Sequence, residues 1–551
     1  MEHDVLVAEP QHHPAADDQP VVAARIGRES RALAVPLERV GLQHHPQTLV
    51  DQVGSDGEGV TGDDHLRCDA QTGDVVADRS EDRLERVRRS GIGRGAHPAD
   101  LGRTRAPSVL GDPVQVSSSD PTSDWEEISD LARDIAAVVD VEAYNKYWTM
   151  NPSPWRAARL LGEIARYDHL FSFRQWPLAI AGRLIGSFIA PYDKALSNHY
   201  GFGLDEIMHF LAVLEQRGGP DPIRVNRRDF IAEGLSEATL DTMLPLLSHA
   251  RGMANAKYNS PFAADQVDLF LRPLFEGRNG AYIALPAPLI GPACYEALAA
   301  VARSALSKAD TANMAGDGTQ RAVRAVLDAH GVVPAFESAK YNEGGKVDAG
   351  ECDFVLEAER HVWFLELKAK ALTRAAMAGK VDAAFLDYGT SLIDSQGQAM
   401  QHERLLRRDG SIRFDDGNVL ELKGRAIVRL SITLLDHGAL HDRFVFLSIM
   451  QALLETEAAL GPTQASSPQA TKLRKSLAKF EEERLLLSAE TQNETFFKIG
   501  LATVALSPAQ LSCLLADSSL SDLATELLTP AVFGTLNPLL EAFHLRQVRR
   551  T

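Results

Sequence analysis

From Met1 to Asp124 the chain contains no Phe, Tyr or Trp, and no Lys precedes Lys146. The whole sequence holds 36 aromatic residues among 551, so an average stretch of this length would carry about eight. Without them the segment cannot bury enough apolar surface to offset the entropy of ordering its backbone, and disorder is the physical expectation for residues 1–118. Arg without Lys or aromatics also reads as a GC-rich frame translated upstream of the true start, which would then lie near Val114–Ser118 or at Met150. The doublets His12-His13 and His44-His45 leave a metal-binding tail as the functional alternative. A folded core is therefore expected only downstream.

Charge does not separate the two parts. Residues 1–120 hold 21 acidic and 13 basic side chains, net −8; the other 431 hold 54 and 44, net −10, which together make the −18 of the whole chain. A uniformly basic nucleic-acid coat protein is excluded, though a local basic groove is not. No apolar run is long enough to span a bilayer, and no secretory signal layout opens the sequence, so no membrane contact is expected. Cys68, Cys294, Cys352 and Cys513 are scattered without CxxC or zinc spacing, which points to a reducing cytoplasm.

Ser123 and Glu126 have capping-box spacing ahead of Ile128, Leu131, Ile135 and Val138. Helical periodicity continues over Ala157–Tyr167, Pro177–Ile189, Leu204–Gln216, Ser236–Ala250, Asp265–Leu274 and Pro292–Ser307, with one short strand at Tyr282–Leu285. Residues 119–310 thus read as mainly helical. Arg224, Arg227 and Arg228 read as a solvated loop cluster.

The pattern changes after Gly316: a helix to Ala329, an extended stretch to Tyr341, and a turn or flexible loop at Asn342–Gly350. Glu351–Glu357 and Val362–Lys370 follow as two strands at hairpin spacing, then a helix near Ser391–Arg408 and a strand at Ala426–Leu435. Helices return at Asp442–Leu460. A polar linker, Gly461–Ala470, leads to a charged helix from Lys472 to Leu487, a strand at Phe497–Leu506, and a C-terminal region, 461–551, that is again mainly helical. The Arg546–Arg550 run reads as a solvated tail.

The hairpin carries the chemistry. Alternation along its second strand turns Glu366 and Lys368 to one face and Trp363, Leu365 and Leu367 to the other. Asp353, thirteen residues before Glu366, can be brought beside it. Two carboxylates meeting a lysine are hard oxygen ligands suited to Mg²⁺, which takes one or two carboxylates and keeps several waters. Such an ion acidifies water and polarises a phosphoryl oxygen.

Gly350-Glu351-Cys352-Asp353 followed by Phe364-Leu365-Glu366-Leu367-Lys368 resembles the PD-(D/E)xK nuclease superfamily, in its nuclease-related or Mrr-like bacterial branch. The resemblance covers residues 315–440. It implies an α/β fold, a restriction-endonuclease-like mixed-sheet core over 311–460 flanked by helical regions. It also implies Mg²⁺ (with Mn²⁺ as a substitute) held by Asp353, Glu366 and the carbonyl of Leu367, and Lys368 assisting attack of water on a phosphodiester, most simply in DNA. Gln320 or Asp317 stands where relatives carry a further glutamate. Gln398 or Gln401 stands where they use a glutamine after the lysine strand, unless both lie on a solvated helix face. His402 reads as a surface histidine. Nucleases of this fold often pair, so a homodimer is implied as well.

A second acid-x-lysine match, Glu421-Leu422-Lys423, has acids only five to six residues upstream, too close for a preceding strand, and reads as a surface strand edge. Lys370, Arg374, Arg404, Arg407 and Arg408, with Lys368, are the expected phosphate contacts. No Walker A motif or established DNA-reading motif is present. Two alternatives stay open: a non-catalytic nuclease-fold protein that binds nucleic acid or assembles, and a helical scaffold in which the hairpin is accidental.

Overall fold

The protein is described by a computed structural model over residues 8–10, 130, 157–219, 221–258, 263–343, 346–454, 456–458, 467–491, 496–529 and 536–550. Apart from Ala8–Pro10, which pairs with Thr456–Ala458, the aromatic-free segment lies outside these residues. So do the expected helix through Ile128 and Val138 and most of the linker 461–470.

The chain is a mixed α/β protein built on a five-stranded sheet. Its strands are β1 (Phe336–Glu343), β2 (Lys346–Glu357), β3 (His361–Lys368), β4 (Ala426–Thr433) and β5 (Thr503–Leu506), in the spatial order β5-β4-β3-β2-β1. β1, β2 and β3 form an antiparallel meander, whereas β3, β4 and β5 run parallel. Parallel neighbours need long crossovers. Three helices matter here: α1 (Lys308–Ala329), α2 (Asp394–Asp409) and α3 (Pro468–Glu490). α2 lies in the crossover from β3 to β4, and α3 in that from β4 to β5.

Period-two alternation sorts the sheet into two faces. Trp363, Leu365, Val428, Leu430 and Ile432 pack with Val323 and Leu327 of α1 and the helices of the N-terminal region. Val362, Phe364 and Ile427 face the other way, onto Ala399, Leu405 and Leu406 of α2. Ser307 caps α1 and Ser467 caps α3, each accepting the N–H three residues on. α2 follows directly on a π-helical turn, Gly389–Ile393, and ends at Gly410 with φ +70°.

Several expectations need correction. The flexible loop at Asn342–Gly350 is mostly strand, because β1 and β2 pair as far as Glu343 and Lys346. The N-terminal region also holds a four-stranded sheet of Ile223–Asn226, Ala281–Ala284, Leu274–Glu276 and Ser248–His249. Where a helix was expected at Asp265–Leu274 there are two short 3-10 turns and a strand. The Asn255 side chain accepts the N–H groups of Asp268 (2.8 Å) and Leu269 (2.9 Å) that a helix would have used, and Pro273 supplies none. The boundary at residue 460 does not separate units, since β5 completes the sheet and α3 packs along α2. Among the described residues no helix is long and apolar enough to cross a membrane.

Candidate active site

β2 and β3 are joined by a tight turn in which Ala358 donates to the His361 carbonyl at 2.9 Å. Their register pairs Phe354 with Leu365, so Asp353 falls level with Glu366 on the α2 face. Asp353 Oδ2 accepts the Leu367 N–H at 2.7 Å, which fixes the carboxylate at the strand end. Opposite it on β1, Ser338 has φ +48°, a left-handed conformation between the pairs Glu337–Phe354 and Ala339–Cys352. Gln320 of α1 reaches this irregularity, donating to Ser338 Oγ (2.8 Å) and Glu337 (3.1 Å).

Glu366 and Lys368 share a face, as alternation requires, and both meet α2. Glu366 is 2% exposed, and its Oε1 accepts from His402 Nε2 at 2.9 Å. With Nε2 donating, a neutral imidazole accepts the Tyr341 hydroxyl at Nδ1, 2.7 Å away. Lys368 Nζ donates to Gln398 Oε1 (2.5 Å) and pairs with Asp394 Oδ2 (2.7 Å). Ser476 of α3 donates to the other oxygen of Asp394 at 2.7 Å.

Electrostatics follow from this crowding. Burial, and then the negative charge of Glu366, push the Asp353 carboxyl up to about 7, against the opposing pull of the Leu367 N–H and Lys368. Burial alone would push Asp394 up, but the charge and hydrogen bond of Lys368, with the Ser476 hydroxyl, outweigh it and hold that carboxyl below its ordinary value. Asp353 Oδ1 and Glu366 Oε2 make no hydrogen bond with a described residue.

Those two oxygens are the ones left to meet a hard cation, whose charge would relieve the repulsion that Glu366 exerts on Asp353. Among the described residues no three His, Cys, Asp or Glu side chains group as a metal cage. The protein's share would be two carboxylates and the Leu367 carbonyl, a set that suits Mg²⁺ retaining water.

No protein-family model matches this chain, and no curated protein or solved structure is significantly similar to it.

Asp353, Glu366, Lys368 and Gln398 come together. Gln401 is held away, donating to the Ala349 carbonyl at 3.2 Å, so of the two glutamines only Gln398 touches the site. Neither glutamine lies on a solvated face, and His402, expected at the surface, is 1% exposed. The control behaves as expected: Lys423 and Glu421 are exposed partners at 2.9 Å.

Each expected phosphate contact already has a partner in its own chain, although Arg408 is exposed and Lys370 and Arg407 only partly buried. Lys370 pairs with Asp387 (3.0 Å) and donates to Thr390 (2.5 Å); Arg374 donates to the Val267 carbonyl at 2.7 Å. Arg404, 8% exposed, is held by Glu343 at 2.9 Å and Glu483 at 2.7 Å. Arg407 pairs with Glu403, and Arg408 with Asp409, both at 2.7 Å. Arg404 is thus not a surface contact, because acids from β1 and α3, distant in sequence, close over it. Arg546 is likewise no solvated tail: it is buried against Glu526 at 2.8 Å.

The residues that sequence reading missed are Asp394, Tyr341 and the role of His402. One signal was available. Asp394, Gln398, Gln401 and His402 recur at helical spacing, which places four polar groups on the α2 face turned to the sheet.

Proposed function

We propose that this chain is a Mg²⁺-dependent nuclease of the PD-(D/E)xK, restriction-endonuclease-like type that hydrolyses phosphodiester bonds in DNA. The observation that carries the reading is the convergence of Asp353, Glu366 and Lys368 on one face at the end of β3, with the two carboxylates close enough to raise the proton affinity of Asp353. Mg²⁺, or Mn²⁺ in its place, would acidify water and draw charge from a phosphoryl oxygen. Asp353, Glu366 and the Leu367 carbonyl would hold the ion, and His402 fixes the Glu366 carboxylate. Lys368, steadied by Asp394 and Gln398, would orient the attacking water and offset negative charge on the phosphate. A cytoplasmic location and a homodimer cutting two strands belong to the same proposal.

A second reading has its own support. Lys368 is already satisfied by Asp394 and Gln398, the arrangement expected of a nuclease-fold protein that binds DNA without cutting it. Incubating the protein with supercoiled, linear and single-stranded DNA, in Mg²⁺ and then in EDTA, separates the two. Metal-dependent cutting abolished by both Asp353→Ala and Lys368→Ala establishes the nuclease; binding without cutting in any metal establishes the alternative.

A further inference from the structure

The phosphate contacts that sequence suggests on α2 are tied up in internal pairs, which leaves open where a nucleic-acid backbone would lie. α3 supplies three cations of a different kind. Lys472, Lys475 and Lys479 are spaced three and four residues apart, within a 60° arc of an α-helix turning 100° per residue. None of them forms an ion pair with a described residue. Lys472 and Lys475 are exposed and Lys479 half-buried, so the row runs from solvent towards the interior.

Its inner end is located by its neighbours. Ser476 and Glu483, on the same side of α3, bond Asp394 and Arg404 of α2. Lys479 falls between them, and the backbone of its neighbour Phe480 lies against Gly397 of α2. That brings Lys479 close to the stretch of α2 that carries Asp394 and Gln398, the partners of Lys368. Burial lowers its proton affinity, while Glu483, Asp394 and Glu366 act to raise it. After Phe480 come three glutamates, Glu481, Glu482 and Glu483, so the positive row ends there.

We infer that Lys472, Lys475 and Lys479 form the track on which a DNA backbone enters the site, with Lys479 contacting the phosphate next to the one at Lys368. The identity of the strand rests on the nuclease reading; the track itself rests on the unpaired row and where it ends. Three phosphates neutralised along the row would release counterions and make binding steeply salt-dependent.

The test is fluorescence anisotropy of a labelled DNA oligonucleotide in EDTA across a NaCl series, so that no cutting intervenes. The full chain is compared with the Lys472→Gln/Lys475→Gln/Lys479→Gln variant and with Arg407→Gln/Arg408→Gln, their folding checked by circular dichroism. The lysine variant should bind at least ~10-fold more weakly at low salt, with its log–log salt slope reduced by about 2 to 3. The arginine variant should stay within about twofold of the parent, because the charges of Arg407 and Arg408 are already offset by Glu403, Asp409 and Glu343. Unchanged binding in the lysine variant, an equal loss in the arginine variant, or no DNA binding by the parent each overturns the track. Cutting in Mg²⁺ is scored separately with Asp353→Ala: if the parent never cuts but the lysine effect is present, the nuclease reading falls and the track stands.

Discussion

His402 Nε2 lies 2.9 Å from Glu366 Oε1, and both side chains are sealed from solvent between α2 and β3. A carboxylate taken so far from water needs that partner, and the pair behaves as a unit. His402→Leu strands the Glu366 charge and should cost about 3 kcal/mol in a urea melt. The double variant His402→Leu/Glu366→Leu should recover most of that loss, because two apolar groups remove the desolvation problem altogether. A double variant no more stable than the single would show that Glu366 does not depend on His402.

Asp353 is expected to weaken the fold while serving the site. Its folded value, about 7, exceeds the ordinary carboxyl value, so the folded state keeps the proton that the unfolded chain has already lost. Stability is therefore greatest below about pH 4 and falls as pH rises to 7, by up to about 4 kcal/mol from this group alone. At pH 8 in EDTA, Asp353→Asn should raise the Tm by several degrees, and in Mg²⁺ the same variant should not cut DNA. The gain should vanish near pH 4, where the parent carboxyl is also neutral.

Asp394 acts through Lys368 and not on the substrate. Asp394→Asn weakens the 2.7 Å pair that steadies the ammonium and keeps all three lysines of α3, removing only one carboxylate charge that acts on Lys472 and Lys479. The expected outcome is a fall in kcat of ~10-fold or more with KM for DNA changed less than about twofold. A KM effect alone would reassign Asp394 to substrate binding.

Ending the chain at residue 460 should destroy the protein. It removes β5, the parallel neighbour of β4, and α3, which packs along α2. It also removes Thr503 and the Ile499 carbonyl, to which the buried Arg429 donates. Expression of residues 119–460 should yield aggregate; soluble, cooperatively melting material would show the sheet to be complete with four strands.

What was legible in the sequence was local. Alternation on β3 placed Glu366 and Lys368 together, and a thirteen-residue separation sufficed to bring in Asp353, because a hairpin obeys short-range rules. β4 and α2 were found within a few residues by the same periodicities. What was not legible depended on distant chain. Nothing near Arg404 announces that Glu343 and Glu483 will enclose it, so it was read as surface. His402 was misplaced for the same reason: its burial comes from Tyr341 and Glu366, 61 and 36 residues away. The four-stranded N-terminal sheet was missed because its strands are two to four residues long, too short for alternation to register.

The position of β5 has a consequence for how the protein is made. Glu366 leaves the ribosome 140 residues ahead of Leu506, the last residue of the strand that closes the parallel half of the sheet. From the completion of β4 at Thr433 until Leu506 is made, β4 presents an unpaired edge, with Arg429 and Ser431 not yet buried. Half-made chains should therefore be the species that call on chaperones, and a translational pause ahead of residue 500 should lower yield more than one after it.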